Sequence, residues 1–160
     1  AKMPNVMNTN MTQNPATRRH KLIHRLALLP ACLRAIGELA LARIRHRSLK
    51  PRDIIALNTA ARHCAPCPMD AQTSALIERI VLVIPRIAAR LPWRADCLVQ
   101  ALAAQRWLRL KGISSQISIG VDRSADGEFA AHAWLTHNGQ IVTGGEISRF
   151  NPLLSPDLCD

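Results

Sequence analysis

Two side chains in this sequence are suited to covalent chemistry: Cys97, which opens the stretch "CLVQALAAQRWLRLKG", and His132, which lies in "EFAAHAWLTH". Cys97 directly follows Asp96, a residue type that favours the N-cap, and so occupies the first position of a predicted helix. The unsatisfied N–H groups and the dipole of a helix start stabilise a thiolate. The same N–H groups can hold the oxyanion of a tetrahedral intermediate. Cys97, Ala101, Ala104 and Leu108 form a narrow stripe of small and apolar residues that lets such a helix lie close to a sheet. On a strand, His132, Trp134 and Thr136 face one way and Ala131, Ala133 and Leu135 the other. A histidine set this way can serve as general base to a thiol held over the sheet by the helix.

An imidazole that works as a base needs a group to orient it. Asn138-Gly139 is a strong two-residue hairpin signal, and uninterrupted pairing across it puts Gly145 opposite His132. Glu146 is then the nearest acid and the expected third catalytic residue. Thr143, Asn138, Asp122, a backbone carbonyl or water could take that role instead. Trp134, two residues beyond His132, could cover the imidazole, wall a substrate groove or simply pack. Gln100 is the polar side chain near enough to the helix start for contact with substrate at the oxyanion.

Other chemistries find less support. "HCAPCPMD" contains the C-x-x-C pair Cys64 and Cys67, but a structural zinc needs four ligands and no second pair follows, so no metal is expected. There is no P-loop and no G-x-G-x-x-G, and no cofactor is expected. Lys and Arg number 21 against 11 Asp and Glu, a net +10 that calls for an acidic partner of some kind. The arginine-rich "RIRHRSLKPR" lacks interleaved aromatics and a recognised nucleic-acid module, so nucleic acid is not the expected partner. A basic face for a partner protein or acidic peptide fits as well.

Helical spacing runs from Lys21 to about Arg47 through Leu22, Leu26, Leu29, Leu33, Ile36, Leu39, Leu41 and Ile44, with Pro30 expected to kink or split it. "SLKPRDIIALNTAARH" predicts a second helix started by Pro51 and Asp53. "AQTSALIERIVLVIPRIAARL" predicts a third, bent or interrupted at Pro85, and Gly112 ends the fourth. After Gly112 the period changes to two: "SQISIGV", "EFAAHAWLTH" and "QIVTG" read as strands. The expected fold class is α+β, with residues 1–17 a disordered leader or expression-derived segment, 18–92 a helical region and 93–160 a cysteine-headed helix on a small antiparallel sheet, the last two forming one domain.

Five cysteines without framework spacing point to a reducing compartment. No run reaches the roughly 18 apolar residues of a membrane span. A cytoplasmic protein with no membrane span is the expectation.

A cysteine-headed helix followed by a histidine strand is the order of papain-like and transglutaminase-like hydrolases. "CLVQALAAQRWLRLKGISSQISIGV" and "FAAHAWLTHNGQIVTGGE" resemble the transglutaminase-like leader peptidases of lasso-peptide biosynthesis, in which Cys-Leu opens a helix and His-Ala-Trp begins the catalytic hairpin. The upstream "LALARIRHRSLKPRDIIALN" also resembles the helical part of that family, so the likeness covers roughly residues 25–155. It implies a transglutaminase-like catalytic core at 93–160 and a cysteine protease that removes the leader from a ribosomally made precursor peptide, with Cys97 as nucleophile and His132 as base. The implied partners are the precursor peptide, a separate leader-recognition protein, for which the N-terminal helices leave no room on this chain, and a macrolactam-forming cyclase. Many relatives carry an aspartate about a dozen residues after the histidine, where this chain has Gly144. That departure supports a competing expectation, a catalytically idle scaffold that binds peptide or partner.

Overall fold

A computed structural model of the chain describes residues 15–62, 70–123 and 129–154. The chain divides into two units, residues 1–30 and 31–160. Helix α1 (Pro15–His46) supplies the helical residues of the first unit and begins the second. The second unit continues with α2 (Pro51–Arg62), α3 (Ala71–Ala88), α4 (Cys97–Arg109), β1 (Gln116–Arg123), β2 (Phe129–His137), β3 (Gln140–Thr143) and β4 (Asn151–Leu154). The α+β class and the sheet-last order are as the sequence predicts.

The strands form one antiparallel sheet in the order β3-β2-β1-β4. Asn138 and Gly139, at φ of 47° and 77°, form the two-residue turn that closes β2 on β3. The register does not stay regular. His137 pairs with Gln140 and Thr136 with Ile141, but Leu135 pairs with Thr143, so Val142 is an extra residue in β3. Uninterrupted pairing therefore fails after two rungs, and Gly145 is not brought opposite His132. Strand β4 has no alternating pattern and contains Pro152, which an edge strand tolerates.

Helix α4 carries the expected stripe: Ala101, Ala104 and Leu108 are wholly buried. Its end is fixed by the N–H of Ile113 donating to Leu108 O and that of Gly112 to Arg109 O, the paired bonds of a Schellman turn. The third helix runs through Pro85 without interruption and ends one turn later at Ala88. Pro85 removes only the bond to Val81 O, and Val81 is exposed, so water can satisfy that carbonyl.

The inward face of α1 differs from expectation. Ala31, Ala35, Glu38, Leu39 and Ala42 are buried, whereas Leu33, Ile36 and Ile44 are exposed. Small side chains allow close helix packing and leave room for Glu38, which is 2% exposed and paired with Arg34 at 2.7 Å and Arg106 at 2.6 Å.

A second buried polar group fastens α2 to the sheet. Asn58 Nδ2 donates to Ile117 O at 2.8 Å while its Oδ1 accepts from Ile117 N at 2.9 Å and from Gln105 Nε2 at 3.0 Å. β4 pairs β1 only from Ile119 onward, so Asn58 satisfies the backbone where the neighbouring strand is missing.

Candidate functional site

Cys97 is half-buried at the first position of α4. Asp96 stands at the N-cap with extended backbone, as expected, but its side chain makes no capping bond; it lies 3.6 Å from Arg94 instead. Gln100 turns back over the helix start, where its Nε2 donates to Ala95 O at 2.8 Å. That bond ties the segment leading into Cys97 to the first turn of α4.

The thiol rests on β2. The N–H of Ala133 donates to Cys97 Sγ at 3.4 Å. β3 ends at Thr143, opposite Leu135, so Ala133 lies beyond the last β2–β3 rung, and the sulfur takes up its amide there. Ala133 is the residue after His132, so the helix start and the histidine meet at one rung of the sheet. Among the described residues no hydrogen bond joins Cys97 to His132; such contacts often tighten only when substrate is bound.

His132 Nε2 lies 2.6 Å from Gly144 O. A carbonyl oxygen only accepts, so Nε2 carries the proton and donates it, and Nδ1 is left as the nitrogen able to take a proton. The backbone places this carbonyl. Gly144 sits at φ +115°, and a Cβ built on it would stand 2.4 Å from Trp134 Cβ. No other residue fits that position without moving the tryptophan, which accounts for the absence of an acid there.

Glu146, the acid expected nearest the imidazole, has its Oε1 on the N–H of Ser148 at 2.9 Å. This backbone bond holds its carboxyl below the ordinary carboxylate range, so Glu146 is an exposed anion at neutral pH. Its resolved partner is in its own loop, and the imidazole's is Gly144 O. The physical reason is that β3 ends at Thr143 and Gly144 and Gly145, at φ of 115° and 62°, bend the chain before Glu146 can lie across from His132. Asp122, another residue considered for that role, lies 3.7 Å from Arg149.

Trp134 is 6% exposed, and its ring edge lies across Gly120 of β1, where a Cβ would meet it at 2.9 Å. It packs on the sheet, with its ring centre 6.4 Å from that of His132. Phe150 comes closer, stacked on the imidazole at 4.7 Å, and Arg149 lies over Phe150 at 4.8 Å. Sequence reasoning missed Phe150, because "ISRFNP" has neither strand nor helix period and its position depends on the turn made by Gly144 and Gly145.

The C-x-x-C cysteines, Cys64 and Cys67, lie outside the described residues. Among the described residues no helix is long and apolar enough to cross a membrane.

This arrangement supplies a thiol on a helix start whose first N–H groups are not capped by a side chain, and an imidazole whose tautomer is set by a carbonyl. It can support nucleophilic attack on an acyl carbon. Comparison with known proteins adds one positive finding: the family model described as Transglutaminase-like superfamily matches residues 39–155, a span that contains both Cys97 and His132. No curated protein and no solved structure matches the chain.

Proposed function

The chain belongs to the transglutaminase-like superfamily, and from that premise we propose that it is a cysteine peptidase whose Cys97 and His132 hydrolyse one peptide bond. The observation that carries the reading is the meeting of the Cys97 helix start with the Ala133 amide beside a histidine whose Nε2 donates to Gly144 O. His132 Nδ1 takes the proton of the Cys97 thiol, and the thiolate attacks the carbonyl carbon. The first N–H groups of α4 hold the oxyanion. The imidazolium then protonates the leaving amine, and water hydrolyses the thioester with His132 as base.

The substrate in this proposal is the leader–core junction of a lasso-type precursor peptide, supported by the likeness of "CLVQALAAQRWLRLKG" and "HAWLTHNG" to leader peptidases of that pathway. A separate leader-recognition protein presents the precursor, a macrolactam-forming cyclase uses the freed amine, and the cytoplasm is the proposed setting. No cofactor takes part. Residues 93–160 are proposed as the catalytic core of a domain that includes the helices from residue 18.

The test is mass spectrometry of a precursor peptide incubated with this chain and a leader-binding protein. We expect cleavage at one bond, reduced at least about 10³-fold in Cys97→Ala and in His132→Ala, the scale of losing a catalytic nucleophile or its base. Glu146→Gln in the same assay decides the third role: near-full activity leaves Gly144 O as the orienting group, and a tenfold loss returns the role to Glu146. Tight complex formation without cleavage of any precursor would assign the protein to the scaffold class.

A further inference from the structure

At the far end of α4 from Cys97, a cleft of about 630 Å³ opens between the end of α1, α2 and the second half of α4. Its lining includes Ile44, Leu49, Leu57 and Leu102 together with Arg45 and Arg109. We propose that this cleft is a docking site for an acidic amphipathic peptide segment of a partner protein, which places its aliphatic side chains in the cleft and its carboxylates on Arg45 and Arg109.

Charge is the first argument. Arg106 also lines the cleft, but its Nη1 is 2.6 Å from the buried Glu38, a carboxylate it shares with Arg34. Asp53, the acid in the lining, has Oδ2 on Lys50 N at 2.7 Å and Oδ1 4.0 Å from Arg52. Arg45 and Arg109 have no ion pair among the described residues. Two guanidiniums without a carboxylate partner among the described residues, beside aliphatic surface, match a ligand that brings both anionic and apolar groups.

Exposure is the second argument, and it separates a polypeptide from a small ligand. Ile44, at the cleft, is 67% exposed. A small anion on the arginines would leave Ile44 in water, whereas an amphipathic segment seated in the cleft would cover it. A second copy of this chain is disfavoured because each copy carries +10. A nucleic acid would meet aliphatic side chains and no aromatic ring on which a base could stack.

The probe is a fluorescein-labelled synthetic peptide with leucines at helical spacing and glutamates elsewhere, titrated into the full chain by fluorescence anisotropy. The expected result is saturable binding, weakened at least tenfold in Arg45→Gln/Arg109→Gln and in Ile44→Ser. It should persist within about threefold in Arg45→Lys/Arg109→Lys, since the lysines keep the charge that the carboxylates pair with. Circular dichroism melts of each variant establish that it is folded. Cys97→Ala should bind the probe as wild type does, so failure of this site and failure of the proposed chemistry are separable. The proposal is overturned by absence of binding, by equal binding of the Glu→Gln counterpart peptide, or by unchanged affinity in both the glutamine and serine variants. It is equally overturned if sedimentation shows a dimer that Arg45→Gln dissociates, or if an oligonucleotide binds with the same arginine dependence.

Discussion

At the scale of single residues, the imidazole is the most constrained group in the site. Its Nε2 is held by Gly144 O and its ring face by Phe150. The carbonyl takes the hydrogen bond expected of Glu146, and Gly144 leaves no room for an acid at its own position. Gly144→Asp would force a Cβ into Trp134 at a left-handed φ. We expect it to destabilise the protein by about 2 kcal/mol or more and not to raise activity. Thermal melts beside the cleavage assay check this; a Gly144→Asp variant with unchanged melting and higher turnover would mean that the histidine wants a carboxylate.

At the scale of elements, the helix start at Cys97, the strand with His132 and the Asn-Gly turn were legible because each follows from local pattern: a capping residue, a period of two and a turn dipeptide. What lay hidden depends on contacts between elements. The extra Val142 in β3, the short β4 with Pro152 and the inward face of α1 all answer to neighbours. Leucines at helical spacing on α1 suggested the wrong face because alanines permit closer packing. The site followed the same division: Cys97 and His132 were readable from the sequence, whereas Gly144 O, the Ala133 amide and Phe150 were not.

Element caps also give a pH-dependent prediction. Asp70 caps α3 by accepting from Thr73 N at 2.7 Å, and that backbone bond lowers its pKa from 3.8. A folded-state pKa below the unfolded one means stability that is present above the unfolded value and lost as pH falls through the folded value. Asp70→Ala should therefore lower the melting temperature by a constant amount from neutral pH down to about 5, with the difference shrinking below about 4. A difference that widened in acid would contradict the cap.

At the scale of the whole molecule, the second unit is held by polar fastenings between segments distant in sequence. Asn58 joins α2, α4 and β1, and its loss would strand the N–H and carbonyl of Ile117 in a buried layer and leave Gln105 Nε2 with Ser115 O alone. We expect Asn58→Ala to cost about 3 kcal/mol, seen as a drop of roughly 6–12 °C in melting temperature, while Asn58→Asp, which keeps one acceptor, loses the Nδ2 donation to Ile117 O. Chemical denaturation of the two variants measures this, and a loss below about 1 kcal/mol for Asn58→Ala would mean that water replaces the amide.

The strand order has a consequence in time. β1 is flanked by β2, which follows it directly, and by β4, the last of the described strands. As a nascent chain emerges, α4 is complete at Arg109, twenty-three residues before His132 is added. The thiol is thus made well before its base, and the sheet is sealed on its β1 side only after Leu154 has been added. Synthesis from one end therefore brings Cys97 and His132 together on a complete sheet only after β4 has followed them. A truncated product that stops short of β4 would carry the Cys97 thiol at its helix start without the complete sheet beneath it.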